Sequence, residues 1–471
     1  MQKIFENVEL AWEERSISGM NPLVFREYDI RGVAGRDLTE TFVYDLGRAI
    51  GTYFQGHSAQ RVAVGRDCRL SSPDFHDALV KGLLETGRDV VDLGMVPTPL
   101  VYFATFTLDV QGAVQITGSH NPPDENGFKI CLGRGTIFGE EIQRLRSLLE
   151  SGSFHRGSGH LEEHNVIAQY AAHVLGSLRP GKIPRKVVVD SGNGTAGLVA
   201  PALYRAMGVV EVMELHSEPD GRFPNHHPDP TVPENINGLM ETVKAQQADL
   251  GIAFDGDADR IGVVDETGKI MWGDKLLILF SREILKERPG AMVIGEVKCS
   301  QLLFDDLATR GGVPIMWKVG HSLIKAKMRE EGALLAGEMS GHLFFADRYF
   351  GYDDAIYAGA RLLEILTQRD GTLSSLLSDL PPMVNTPEIR VACEDERKFD
   401  IVARLVESFQ EDHRVIDVDG ARILFDDGWG LVRASNTQPV LVMRFEARTV
   451  EALDRIRKEV DGRLAQIAKG I

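Results

Sequence analysis

Short apolar runs separated by amphipathic segments recur along the chain. The first run, Arg61–Gly65, precedes a helical stretch over Pro73–Thr86, and further strands are predicted over Asp89–Leu93 and Gly112–Ile116. Near-continuous apolar strands that alternate with helices are typical of parallel or mixed sheets covered by helices. The pattern therefore predicts an α/β unit whose third strand ends just before Ser119.

The same order of elements occurs twice more. The strands predicted for these two copies are Lys186–Asp190, Val209–Leu215 and Asp249–Phe254, then Ala291–Gly295, Val313–Trp317 and Ala333–Ala336. In α/β proteins, ligands gather at the carboxyl ends of the strands. The residues that follow the third strand of each copy, Ser119, Asp255 and Glu338, are therefore candidates for one shared site.

The pattern changes after Pro381 and Pro382, where two helices are predicted over Asp395–Gln410 and Val450–Lys469 among strands. We interpret this part as a smaller α+β domain. A chain of 471 residues also exceeds what one core usually supports. The predicted fold is therefore α/β with four domains, three similar mixed α/β domains followed by the α+β domain, with boundaries at 1–163, 164–266, 267–382 and 383–471.

Charge and cysteine content limit the kinds of partner and cellular location to expect. The 52 basic and 69 acidic residues give a net charge of −17, which disfavours nucleic acid and anionic membranes as partners. An anionic substrate then needs a local cluster of Arg, Lys and backbone N–H groups. The four cysteines are scattered, with no Cys-x-x-Cys, so neither a zinc site nor a disulfide framework is indicated. With no signal-like or membrane-spanning stretch, we expect a cytoplasmic protein.

Three carboxylates alternate in Asp255-Gly256-Asp257-Ala258-Asp259-Arg260. Oxygen ligands of this kind suit Mg²⁺ or Ca²⁺ rather than zinc. An EF-hand loop fits the spacing, and Glu266 even falls at its twelfth position. However, Arg260 stands where that loop needs glycine, and both flanks are strand-like. We therefore predict a divalent-metal loop of another kind.

Three further segments carry polar side chains with a plausible chemistry. In Thr117–Pro123, Ser119 follows a strand, and two prolines rigidify the loop, which suits a nucleophile. Arg433–Pro439 offers a guanidinium fork, hydroxyls and an amide, as in a phosphate cradle. Gly337–His342 offers a carboxylate and a hydroxyl for sugar hydroxyls, and a titratable histidine. Each motif alone is also compatible with an ordinary turn.

A competing motif is Gly192–Gly197, which matches G-x-G-x-x-G, follows a strand and is predicted to open a helix, with Glu211 or Glu214 near the position of a ribose-binding acid. It makes an NAD-dependent oxidoreductase the alternative enzyme, but that function leaves the other motifs unexplained. We therefore interpret the glycines as serving a tight turn and helix packing. A sensor that binds metal and sugar phosphate without catalysis is a further alternative.

Taken together, the segments TGSHNPP, DGDADR, GEMSGH and RASNTQP resemble those of the α-D-phosphohexomutase superfamily, and most of all its bacterial phosphomannomutase/phosphoglucomutase group. The likeness runs from about Tyr28 to the C-terminus. It implies an isomerase that is a phosphoprotein of carbohydrate metabolism, with four domains around a central cleft. It also implies a monomer or weak homodimer acting on a small phosphosugar.

The resemblance assigns a role to each candidate residue. Ser119 would carry the phosphoryl group, with Arg31 and Lys129 beside it, and Asp255, Asp257 and Asp259 would hold Mg²⁺ together with that phosphate. His342 is the first candidate for the general base and His321 the second. The implied substrate-binding residues are Tyr28, Arg260, Lys298, Glu338, Ser340, Arg433, Ser435, Asn436 and Thr437.

The implied reaction is a reversible conversion of hexose 1-phosphate and hexose 6-phosphate through a hexose 1,6-bisphosphate, which also serves as activator. Glucosamine-type mutases usually carry Gln where Met339 stands and Gly where Asn436 stands. Both positions therefore favour mannose and glucose as the sugars.

Overall fold

The structure is a computed structural model that describes residues 20–436 and 438–469. These residues form two compact units, one extending to Val166 and one beginning at Ile167. Among the described residues, no helix combines the length and apolar character needed to cross a membrane.

The first unit is a mixed sheet flanked by helices. Its strands are β1 (Ile30–Val33), β2 (Arg61–Arg66), β3 (Asp89–Met95), β4 (Gly112–Ile116), β5 (Glu125–Leu132), β6 (Gly135–Thr136) and β7 (Leu161–Glu163). Its helices are α1 (Glu40–Gly56), α2 (Ser72–Glu85), α3 (Thr98–Thr107) and α4 (Glu140–Ser151). The strand order is β1-β5-β4-β2-β3-β7, with β6 beside β5. Strands β4, β2, β3 and β7 run parallel, and β5 runs antiparallel to β4.

The second unit begins with two smaller mixed sheets. Their strands are β8 (Arg185–Asp190), β9 (Val210–Leu215), β10 (Leu250–Phe254), β11 (Ile261–Asp265), β12 (Ile270–Met271), β13 (Met292–Glu296), β14 (Val313–Trp317), β15 (Leu335–Gly337) and β16 (Leu343–Phe345). Their helices are α5 (Ile167–Ser177), α6 (Ala200–Ala206), α7 (Asn237–Ala245), α8 (Gly273–Glu287), α9 (Gln301–Thr309), α10 (His321–Glu331) and α11 (Ala355–Thr367).

The predicted repeat is confirmed by the strand order of the three mixed sheets. The orders are β3-β2-β4-β5, β9-β8-β10-β11 and β14-β13-β15-β16. In each, the third strand lies between a parallel first strand and an antiparallel strand that follows it. Ser119, Asp255 and Glu338 therefore follow equivalent strands.

The last sheet is antiparallel and packs against two helices. It contains β17 (Val384–Asn385), β18 (Ile389–Ala392), β19 (Arg414–Ile416), β20 (Ala421–Phe425), β21 (Gly428–Ala434) and β22 (Val440–Ala447). Helices α12 (Asp395–Gln410) and α13 (Val450–Lys469) have the predicted bounds. Leu405 and Phe409 of α12 and Ile456 of α13 join Ile423 and Phe445 of the sheet in one core, which confirms the α+β prediction.

Two local predictions were wrong. The strand predicted over Ala333–Ala336 spans Leu335–Gly337 instead, because the Ala333 N–H donates to the carbonyl of Met328 and closes the end of α10. The glycine motif at Gly192 leads first into a 3₁₀ turn over Thr195–Leu198, and α6 begins only at Ala200.

Candidate active site

The Ser119 loop leaves the end of β4 in a strained conformation. Ser119 has a φ of +50°, is 2% exposed, and donates its N–H to Thr117 Oγ1 at 2.8 Å. Its Oγ lies 3.1 Å from His120 Nδ1. A left-handed backbone at a residue other than glycine persists only where its surroundings impose it, which is common at functional sites.

A buried arginine imposes this conformation. The guanidinium of Arg69 donates to the carbonyl oxygens of four loop residues, Ser119, Asn121, Pro122 and Glu125. Arg69 is fully buried, and its Nε lies 3.2 Å from Asp67 Oδ2, which also accepts from the Gly118 N–H. A Cβ at Gly118 would lie 2.4 Å from this guanidinium, so only glycine fits there. The serine is therefore held on a rigid support.

Two basic residues predicted to flank Ser119 lie on strands beside this loop. Arg31 is on β1 and Lys129 on β5, and β5 pairs with both β1 and β4. Arg31 Nη1 donates to Asn121 Oδ1 of the loop at 2.6 Å, and Arg31 Nη2 forms an ion pair with Asp29 Oδ2 at 2.7 Å. Lys129 is 4% exposed. Tyr28 is half-buried in the segment that precedes β1.

The three aspartates after β10 converge as predicted. Asp255, Asp257 and Asp259 are fully buried, and one carboxylate oxygen of each lies within 4.8 Å of the others. Asp255 Oδ1 accepts from the backbone N–H groups of Asp259 and Arg260, both at 3.1 Å. The turn places Ala258 at a φ of +61°. A buried group of carboxylate oxygens fits a hard divalent cation such as Mg²⁺.

The glycine motif after β8 supports the aspartate loop. The Thr195 N–H donates to the Gly256 carbonyl at 3.0 Å, and a Cβ at Gly194 would lie 2.7 Å from that oxygen. An amide used in this way does not face a dinucleotide pyrophosphate. The predicted tight turn is present at Gly192, but Gly194 and Gly197 pack against the Gly256 and Ser217 backbones rather than against a helix.

His342 and His321 lie side by side, next to the buried carboxylate of Asp353. Their rings stack with centroids 5.7 Å apart. Asp353 Oδ2 lies 3.3 Å from His342 Nδ1 and 3.7 Å from His321 Nδ1, and Lys325 Nζ donates to Asp353 Oδ1 at 2.8 Å. Arg260 Nε donates to His342 Nε2 at 3.0 Å. Since a guanidinium only donates, Nε2 carries the lone pair and Nδ1 the proton in this arrangement.

The close packing of these charged side chains shifts the pKa values of Asp353 and Arg260. Burial opposes ionisation of Asp353, but the neighbouring Lys325, His342 and His321 outweigh it and hold the pKa of Asp353 well below its usual range. Burial also disfavours a charged Arg260, yet the surrounding carboxylates of Asp229, Asp255, Asp259 and Glu338 raise its pKa. The aspartate loop and the Glu338 loop therefore share one electrostatic environment.

Glu338 accepts two hydrogen bonds, and the buried Lys298 pairs with a different carboxylate, Glu388. Glu338 accepts from the Gly320 N–H at 2.7 Å and from Ser340 Oγ at 3.1 Å. Lys298 Nζ lies 3.1 Å from Glu388. Burial opposes charge on both partners, but Lys298 dominates and lowers the pKa of Glu388 to about 2, while nearby carboxylates raise the pKa of Lys298.

The predicted phosphate cradle follows β21. Arg433 is 6% exposed, and its Nε lies 3.0 Å from Asp419 Oδ2, which also accepts from the Val319 N–H. Ser435 Oγ accepts from the Gln438 N–H at 3.1 Å. Asn436 is exposed. Thr437 lies outside the described residues.

Sequence reasoning missed the residues that support these groups, namely Asp67, Arg69, Asp353, Glu388 and Asp419. Asp67 stands directly after β2, so the strand-end rule could have found it. Asp353 precedes Asp354, which caps α11 by accepting the Tyr357 N–H. Because Asp353 adjoins this capping residue, the sequence alone does not distinguish its role from that of the cap.

Four domain models of one protein family match the chain in sequence order. Models of the phosphoglucomutase/phosphomannomutase α/β/α domains I, II and III match residues 22–156, 168–268 and 272–384. The model of the C-terminal domain of the same family matches residues 388–463.

Individual relatives are similar to this chain over nearly its whole length. A phosphomannomutase/phosphoglucomutase from Pseudomonas aeruginosa is 49% identical over 435 residues, 92% of this chain and 94% of the relative. The crystal structure of a phosphoglucomutase/phosphomannomutase family protein from Burkholderia thailandensis superposes with a TM-score of 0.90 at 44% identity, covering 96% and 99% of the two chains.

A more distant structure shares the fold alone. It is the N-acetylphosphoglucosamine mutase of Aspergillus fumigatus in complex with GlcNAc-6P and magnesium, 14% identical with a TM-score of 0.59, covering 96% of this chain and 97% of that one. Because the four domain models and the Pseudomonas relative cover nearly the entire sequence, this chain belongs to the phosphoglucomutase/phosphomannomutase family.

Proposed function

We propose that this protein interconverts hexose 1-phosphate and hexose 6-phosphate, carrying the phosphoryl group on Ser119 and passing through hexose 1,6-bisphosphate. The observation that carries the proposal is the rigid Ser119 loop. Arg69 fixes the loop by donating to the backbone carbonyl groups of Ser119 and Asn121. The Ser119 hydroxyl is thereby held in position to act as the nucleophile. Transfer needs a donor held in line with the acceptor hydroxyl, and a fixed loop supplies that position.

Asp255, Asp257 and Asp259 are proposed to hold Mg²⁺. Three buried carboxylates within 4.8 Å of one another match the oxygen donors that this ion takes. The fungal mutase named above was crystallised with magnesium. When bound, the ion supplies positive charge that offsets the negative charge of the phosphoryl group.

The sugar hydroxyl must lose a proton when it accepts the phosphoryl group, and we assign this role to His342. Its Nδ1 proton faces Asp353 and its Nε2 has a lone pair, so Nε2 can take the proton once the substrate displaces Arg260. Asp353 stabilises the imidazolium that results. His321 stacks on the same ring and is the second candidate.

The remaining predicted residues bind the substrate in the proposal. Glu338 and Ser340 accept and donate to sugar hydroxyls, and Lys298 and Arg260 offset phosphate charge. The substrate's non-reacting phosphate lies on the loop formed by Arg433, Ser435, Asn436 and Thr437. Arg433 is held by Asp419, so its fork is oriented before the substrate arrives.

The substrate must bind in two orientations, since each phosphate in turn meets the same nucleophile. Binding therefore depends on features common to both orientations, a phosphate and vicinal hydroxyls. Glucose and mannose differ only at C2, so a site that contacts the 3- and 4-hydroxyls accepts both. The name of the Pseudomonas relative covers both sugars.

Conversion of labelled 1-phosphates of glucose, mannose and glucosamine, followed by ³¹P NMR, tests the proposal. We expect comparable turnover of the first two and slow turnover of the third. Strict selectivity for one sugar would contradict the dual specificity, and no 6-phosphate from any of them would contradict the activity itself. The predicted domain boundaries, cytoplasmic location and monomeric or weakly dimeric state remain proposals.

A further inference from the structure

A second cluster of metal-ligating side chains lies in the β8–β9 region, outside the groups assigned above. It consists of Asp190, His216 and His226, and one ligand atom of each lies within 4.8 Å of the others. We propose that this cluster binds a transition-metal ion of the zinc class, distinct from the Mg²⁺ held by the three aspartates.

The strand arrangement brings the first two residues together. Asp190 is the last residue of β8, in register with Leu215 at the end of β9, and His216 follows immediately. These strands are parallel, so both side chains lie at the carboxyl edge of the sheet, where α/β folds bind ligands. The Ser191 N–H donates to the Leu215 carbonyl and the Asn193 N–H to the His216 carbonyl, at 3.0 and 2.8 Å, which fixes the two strand ends.

The third residue comes from the loop that follows β9. His226 Nε2 lies 3.1 Å from both carboxylate oxygens of Asp190, and its ring centroid is 5.3 Å from that of His216. Ligand atoms of a tetrahedral zinc ion lie about 3.3 Å apart. A hydrogen bond between His226 and Asp190 explains one contact of this cluster, but it does not explain the second imidazole beside it.

The cluster is buried at Asp190 and partly exposed at His226. The Asp190 side chain is 2% exposed, whereas that of His226 is 17% exposed. Gly192 has a φ of +52°, and a Cβ there would lie 3.3 Å from His226 Cε1, so this glycine admits the ring. Its N–H donates to Asp190 Oδ1 at 3.0 Å and orients the carboxylate.

The donor set decides which ion it takes. Two imidazole nitrogens and one carboxylate oxygen suit Zn²⁺, Co²⁺ or Ni²⁺, whereas Mg²⁺ prefers oxygen ligands alone. Three protein ligands also leave a coordination position for water. The cluster therefore differs from the aspartate loop in the chemistry of its ligands, although β8 and β10 are adjacent strands of one sheet.

Metal titration of the full-length protein tests this site. The protein is stripped with a chelator, saturated with Mg²⁺ to fill the aspartate loop, and dialysed against Zn²⁺, with bound zinc measured by mass spectrometry. We expect His216→Ala and His226→Gln each to weaken one zinc-binding event by about 100-fold or more, since even outer-shell changes cost 10–100-fold. His227→Ala, in the same loop but outside the cluster, should bind like the parent.

A second readout does not depend on the variants folding. Co²⁺ added to the Mg²⁺-saturated parent should give a visible absorption band that titrates to saturation and that Zn²⁺ abolishes. Absence of such a band, or equal zinc binding by the parent and both folded histidine variants, would overturn the proposal and leave a plain Asp–His hydrogen bond. Loss in His227→Ala alone would also overturn it.

Discussion

Replacement of Arg69 by lysine tests how the Ser119 loop is held. The lysine keeps the positive charge but has three donors on one nitrogen, whereas the guanidinium contacts four carbonyl oxygens and Asp67. At least two buried acceptors lose their partner, at ~1–3 kcal/mol each. For a unit of this size, a loss of ~2–6 kcal/mol lowers the unfolding midpoint by roughly 5–20 °C.

The same change should lower kcat in the protein that remains folded. A displacement of the nucleophile by about 1 Å can cost about 100-fold in rate, so we expect a loss of this order at a temperature well below the unfolding midpoint. Calorimetry gives the midpoint, and a coupled isomerisation assay gives kcat.

Arg88→Lys is the matched control. Arg88 is also a buried arginine of the first unit, 4% exposed, and donates to the Ala59 carbonyl at 2.8 Å, away from the Ser119 loop. It should lower the midpoint and leave kcat unchanged. Equal kcat in Arg69→Lys and the parent would refute the claim that the guanidinium positions the loop.

The remaining predictions address the other groups. Ser119→Ala should abolish sustained isomerisation without changing the unfolding midpoint; near-normal turnover would refute its role. Asp257→Asn should raise the Mg²⁺ concentration for half-maximal activity about tenfold or more, and an unchanged Mg²⁺ dependence would count against the metal loop. Asp353→Asn should lower kcat about 100-fold and alter the pH dependence of kcat. A pH dependence with the same shape as the parent's would indicate a structural role only. Because the pKa of Glu388 is lowered to about 2, its pairing with Lys298 and Arg390 stabilises the fold above pH ~4.5 and is lost as pH falls toward 2. Glu388→Gln should therefore lower the melting temperature near pH 7 but not near pH 2, and an equal loss at both would contradict this pairing.

Most of the architecture was predictable because its signals are local. Alternating apolar strands and helices predicted the repeat, and the strand-end rule selected Ser119, Asp255 and Glu338. Helix α3 was missed because Thr98–Thr105 are all buried. A helix that is apolar on every side has no amphipathic period to detect.

The supporting contacts were not predictable, since their partners are distant in sequence. Arg69 binds carbonyl groups 50 to 56 positions further along the chain, and backbone carbonyls leave no trace in the amino-acid sequence. Asp353 lies beside the helix-capping Asp354 and differs from it only through contacts with Lys325, His321 and His342. Such roles depend on the packing of separate elements.

The central claim is that Ser119 carries the phosphoryl group. The most direct measurement incubates the protein with ³²P-labelled glucose 1,6-bisphosphate, locates the label by peptide mapping, and then adds unlabelled glucose 1-phosphate. The account predicts label on the peptide that contains Ser119, released into hexose phosphate at the rate of turnover. Label on another residue, or label on Ser119 that is not released at that rate, would contradict it.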